Sequence, residues 1–184
     1  LFTDVPAAIM SARHIGVKGG NDKIVIRGNE FNNFTRAGIF TFGACQNWII
    51  DSNHFYRTTV PFYATSDFNA ILTRGGGHTI TNNYIGGNTV NAGGTATIMN
   101  GAVNNRYRGI SLTVSTTTAS SVQGNTITNF DFTSSTGSTT VGGPWCGIYV
   151  SAGTVNIGTV TGNTIGAATG TGSVLSTITT TTSG

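Results

Sequence analysis

One six-residue pattern, apolar-x-(Gly/Ser/Asn)-Asn-x-apolar, recurs five times in 184 residues, at 26–31, 50–55, 80–85, 122–127 and 160–165. A second motif, a small or polar residue followed by Ile, precedes each copy, with its Ile at Ile15, Ile39, Ile71, Ile110 and Ile148. From that Ile to the Asn of the following copy the spacing is 14, 14, 12, 15 and 15 residues, whereas successive Ile positions lie 24, 32, 39 and 38 apart. A constant arc alternating with a variable one is the signature of a solenoid whose insertions are confined to one side of each coil. The variable arcs, about 56–69, 86–108 and 129–146, read as long loops leaving from the same side.

The repeated asparagines have a physical reason. A tight turn between strands favours a residue that tolerates the left-handed region, as Asn does. Stacked at the ~4.8 Å spacing of parallel strands, Asn29, Asn53, Asn83, Asn125 and Asn163 are expected to form a side-chain ladder. Side-chain alternation then sends three apolar columns inward: Ile26, Ile50, Ile80, Val122 and Val160; Phe31, Phe55, Ile85, Ile127 and Ile165; and Ile15, Ile39, Ile71, Ile110 and Ile148. The same register puts Arg27 beside Asp51 and Glu30 beside His54, and leaves Cys45 and Cys146 too far apart for a disulfide. The chain therefore reads as all-β: a right-handed single-stranded parallel β-helix of about five coils with long loops on one side, one domain over 1–184.

Composition agrees and narrows the function classes. Only 8% of residues are charged, and Thr, Ile and Val outnumber helix formers. All nine Lys and Arg lie before residue 109, interspersed with five of the six acids, which is not the clustered basic face with stacking aromatics that nucleic acid requires. No apolar run approaches the ~18 residues of a membrane-spanning helix, so no membrane insertion is expected. The cysteines show no metal-ligand spacing, and neither a metal nor a cofactor is expected. No leader or capping segment is visible at either end, so the chain is expected to be a piece of a longer one, stacked on further coils or domains.

The Asn-x-(Ile/Phe) turns and Gly-Ile strand starts resemble the parallel β-helix repeat proteins of the pectin-lyase-like superfamily across nearly the whole chain. The stretch 147–158, followed by 161–166, is similar to large secreted or surface-anchored repeat proteins of gram-negative bacteria. The resemblance implies an extracellular location and a structural or adhesive role. It also raises the alternative of a polysaccharide lyase or glycoside hydrolase. The residues do not favour catalysis. No Asp-Asp pair or Asn-Thr-Asp triplet occurs among the six acids, and no carboxylate cluster suits Ca²⁺. Arg74 and His78, four residues apart, are the surviving candidates for a lyase base. A binding surface is the more natural expectation. Phe40, Phe42, Leu72, Arg74 and Tyr149 fall at outward positions of the Ile39 column, and Arg57, Phe62, Tyr63, Arg106, Tyr107, Arg108 and Trp145 fall on or beside the long loops. Aromatic rings with basic groups suit stacking on sugars and pairing with acidic polysaccharide.

Overall fold

The computed structural model describes residues 2–3, 7–10, 21–43, 45–58, 67–99, 104–135, 143–167 and 173–179. Short runs rich in β-branched and aromatic residues, bounded by Gly, Ser and Asn, form strands, and among the described residues there is no α-helix. The strands assemble into four sheets, all parallel. A long sheet holds β2 (Ala7–Met10), β5 (Ala37–Phe40), β8 (Asp67–Gly75), β12 (Arg106–Val114) and β16 (Trp145–Ala152). The strands that precede each Asn, β3 (Val25–Arg27), β6 (Ile49–Asp51), β9 (Thr79–Thr81), β13 (Ser120–Gln123) and β17 (Val155–Ile157), form the second. Those that follow it, β4 (Glu30–Asn32), β7 (His54–Tyr56), β10 (Tyr84–Ile85), β14 (Thr126–Ile127) and β18 (Thr164–Ile165), form the third, with β1 (Phe2–Thr3) paired to β4 at its edge. The fourth is a side wall of β11 (Thr97–Met99), β15 (Phe130–Ser134) and β19 (Val174–Ile178). From β8 onward the chain visits long sheet, pre-Asn sheet, post-Asn sheet and wall in cyclic order, and each visit pairs with the one before.

Two of the arcs expected to be loops therefore carry paired strands: β11 lies within 86–108 and β15 within 129–146. The sequence signal for them was weak because their alternation is short and the wall has no Asn to mark it. Wall residues Met99, Phe130 and Phe132 are buried and complete the core. Much of the first variable arc, 59–66, lies outside the described residues.

The register expectations hold where Arg27 pairs with Asp51 and Glu30 with His54. Ile26, Ile50, Ile80 and Val122 are buried, as are Phe31, Phe55, Ile85 and Ile127. The Phe31 and Phe55 rings stack with centroids 4.8 Å apart and planes 7° from parallel, so the ring spacing matches the strand spacing. The Gly of the Gly-Ile motif is explained by close approach. A Cβ at Gly38 would sit 2.7 Å from the Phe55 ring, and one at Gly109 would sit 2.6 Å from the Gly147 carbonyl oxygen.

Three expectations are corrected. Val160 is 87% exposed, and the residue in register with Val122 is Ile157. The last corner is three residues longer than the others, and Gln123 braces it: its Oε1 accepts from the Val160 and Thr161 amides, and its Nε2 donates to the Asn156 carbonyl. The residue in register with Ile39 is Ile9, not Ile15, which lies outside the described residues. Finally, the left-handed corner residue is the one before the ladder Asn in four corners, where Gly28, Ser52, Asn82 and Gly124 have φ of 66°, 55°, 55° and 63°, and Gly158 (63°) in the longer last corner, and the ladder asparagines do not take it.

That corner geometry frees each Asn side chain to reach along the stack. Asn29 Nδ2 donates to Asn53 Oδ1 (3.3 Å), Asn53 to Asn83 (3.0 Å), Asn83 to Asn125 (2.9 Å) and Asn125 to Asn163 (2.9 Å). The same Oδ1 atoms accept the backbone amides of the preceding asparagines at 2.9–3.1 Å. Each Nδ2 from Asn53 on also donates to the carbonyl of Ile26, Ile50, Ile80 or Val122 at 2.9 Å. Buried amide groups are thus satisfied along the column, which is what makes burying them tolerable.

Candidate ligand-binding groove on the long sheet

The outer face of the long sheet carries an open groove of about 500 Å³, lined by Arg36, Asp67, Asn69, Leu72, Arg74, Arg106, Arg108, Ser111, Thr113, Tyr149 and Ser151. That volume falls within the ~300–1,000 Å³ of small-molecule sites. Alternation along β8, β12 and β16 places the central side chains: Leu72, Ser111 and Tyr149 lie in register on three adjacent strands, one residue beyond the inward Ile71, Ile110 and Ile148. Among the described residues, four of the chain's nine Lys and Arg line the groove against a single carboxylate, Asp67.

The groove is partly pre-arranged. Arg108 is 3% exposed, with Nη1 3.2 Å from Asp67 Oδ2 and its guanidinium 4.4 Å from the centroid of the Tyr149 ring. Covering one face of Tyr149 in this way fixes the ring as a platform. Arg74 is exposed, and its guanidinium lies 5.9 Å and 5.6 Å from the Phe40 and Phe42 ring centroids. Its backbone is anchored too, because its amide donates to Thr41 Oγ1 at 2.7 Å. Phe40 is buried beneath Phe42, 4.5 Å between centroids, with the Arg36 guanidinium 5.8 Å from its ring. Thr113 and Ser151 share a 2.6 Å hydrogen bond at the far side.

The sequence candidates separate into three groups. Arg74, Arg108 and Tyr149 line the groove, and Phe40 and Phe42 underlie Arg74. Arg57, Tyr107 and Trp145 do not join them. Arg57 is buried, donating from Nη1 to the Phe34 carbonyl (2.8 Å), and it lines a small interior cavity with Phe34, Met99 and Tyr107. Tyr107 packs on Phe130 at 4.8 Å, and burial pushes its phenol far above the ordinary range. Trp145 meets Phe130 edge-on at 5.6 Å and packs against the core. These residues sit in arcs expected to be loops, where the wall instead turns them inward. Phe62 and Tyr63 lie outside the described residues. Groove residues not singled out in the sequence include Arg36, Asp67 and Asn69. Arg36, three residues before the inward Ile39, falls at an outward position by alternation, but Asp67 and Asn69, four and two before Ile71, are in phase with that inward residue, and both Ala70 and Ile71 are buried, so alternation alone hid them.

His78, the second lyase candidate, is fully buried and committed to structure. Its Nδ1 accepts the Trp48 amide at 3.3 Å, so Nε2 carries the hydrogen and donates to the Arg74 carbonyl at 2.8 Å. Burial holds its pKa below the ordinary value, outweighing the Arg74 carbonyl and the charge of Asp22, which raise it. A neutral ring with both nitrogens engaged has no lone pair to offer a substrate in the groove. Among the described residues no group of three or more His, Cys, Asp or Glu side chains could hold a metal ion, and the two cysteines are free. Among the described residues no helix is long and apolar enough to cross a membrane. No family model, curated protein or solved structure matches the chain.

Proposed function

We propose that the chain is a right-handed parallel β-helix segment of about five coils from a secreted or cell-surface protein, and that it binds an anionic polysaccharide in the groove of its long sheet without cleaving it. Right-handed winding is supported by the near-universal hand of parallel crossovers. The observation that carries the binding role is that Arg36, Arg74, Arg106 and Arg108 line one groove together with the Tyr149 ring, which Arg108 covers on one face. Guanidinium groups pair with carboxylate or sulfate in a bidentate way, and a fixed aromatic ring offers its face to the apolar side of a sugar. Among the described residues that line the groove, Asp67 is the one carboxylate and it pairs with Arg108, so they offer no facing pair of the kind glycoside hydrolysis uses.

Calorimetric titration with oligogalacturonate and with a neutral glucan of equal length tests this reading. Binding of the uronate alone, weakening as salt is raised from 50 to 300 mM, is expected because exposed charge pairs are screened. Equal affinity for both chains, or steady release of unsaturated oligosaccharides, contradicts it.

A further inference from the structure

We propose that the end of the stack at β16, β17 and β18 is a template for one more parallel coil, and that its specific partner is a coil with an asparagine at the corner, entering from the wall strand β19. This rests on the winding proposed above. Each of these strands is the edge of its sheet. The apolar columns stop there uncovered: Ile157 and Ile165 are 43% and 49% exposed, whereas Val122 and Ile127 below them are fully buried. Edge strands with open apolar columns invite pairing with another strand.

The ladder says what kind of strand. In every lower coil the Asn backbone amide and Nδ2 both donate to the Oδ1 of the next asparagine. Asn163 accepts from Asn125 and donates to the Val122 carbonyl, but among the described residues its backbone amide and second Nδ2 hydrogen meet no acceptor. Two convergent donors at a fixed corner ask for one side-chain carbonyl, which Asn supplies and an apolar residue does not. Topology supplies the direction of entry. After wall strand β11 the chain lays β12 on β8, and after β15 it lays β16 on β12. Strand β19 stands on β15 in continuous register, in the place from which β15 hands the chain on to β16.

The test extends the full chain after Gly184 with a copy of residues 104–135, which follows a wall strand in its native place, carrying either the native corner Asn or Leu there. A second pair uses a copy of 67–99. Residue-resolved hydrogen exchange is read at the Asn163 amide. It is expected to slow at least tenfold with either Asn extension and to stay within threefold of the parent with the Leu versions. Fast exchange in all four overturns the inference, as does equal slowing by Asn and Leu. Protection in the parent chain that disappears on dilution also overturns it, since a second copy then occupies the end. Failure of the winding itself is distinguishable, because the amides of Asn53 and Asn83 would then exchange fast in the parent.

Discussion

The corner ladder and the long-sheet groove use polar side chains in opposite ways. At Asn53, Asn83 and Asn125 every side chain is fully buried and repeats the hydrogen bonds of its neighbours. Across the stack, Arg74 and Tyr149 differ in type from the residues in register with them, Thr113 and Leu72 through Ser111, and they face solvent. Regularity fixes how the strands stack, and departures from it set which side chains the surface presents.

The sharpest break between the two regions comes from removing an interior rung of the ladder. Asn83→Leu strands the Asn53 amide, the Asn53 Nδ2 and the Ile50 carbonyl. At ~1–3 kcal/mol for each buried unsatisfied group, a loss of about 3 kcal/mol or more is expected in denaturant unfolding. Asn163→Leu, at the open end, is expected to cost about 1 kcal/mol by the same reasoning. Gly38→Ala comes next: its Cβ meets the Phe55 ring and the Ala70 carbonyl at 2.7–2.8 Å, and an overpacked core costs ~1–3 kcal/mol.

The groove is expected to respond in binding and not in folding. Arg74→Ser with Arg106→Ser leaves stability within ~0.5 kcal/mol, while uronate affinity falls about tenfold, ~1.4 kcal/mol. A large fall in melting temperature instead would place these arginines in the structural half of the comparison.

Acid offers a finer test. Because the fold holds His78 below its ordinary pKa, the unfolded chain binds more protons below about pH 6.5. Stability is expected to decline as pH falls through 6.5, and that slope is expected to shrink in His78→Gln. Asp51 adds to the decline only at lower pH. Burial raises its pKa, but hydrogen bonds from Thr81, Asn82, Arg27 and Ser52 outweigh this, so its contribution is lost as pH falls below about 4. The smallest effect belongs to the Arg27–Asp51 pair, 2.8 Å apart with Arg27 62% exposed. Arg27→Ala is expected to cost about 0.5 kcal/mol or less.

The stacking was legible because one residue type recurs at a fixed phase: the five asparagines and most of the apolar columns follow from spacing alone. Where the phase slipped, the reading slipped with it. Three additional residues in the last corner move the column from Val160 to Ile157, and a longer first arc moves its member from Ile15 to Ile9. The left-handed position was assigned to the Asn because Asn tolerates it, yet Gly28, Ser52, Asn82 and Gly124 take it, leaving the amide free for the ladder. In the groove, alternation found Arg74 and Tyr149. It could not show that the wall draws Arg57, Tyr107 and Trp145 inward, since burial of a loop residue depends on strands from other coils.

The ladder is tested most directly by exchange of its own backbone amides in the unmodified chain. Those of Asn53, Asn83 and Asn125 should exchange as slowly as the core strands, because each is held by the side chain of the next asparagine, while that of Asn163 should exchange orders of magnitude faster. Fast exchange at all four, or equal protection of Asn163 in the monomer, would contradict the column on which the stacking and the groove both depend.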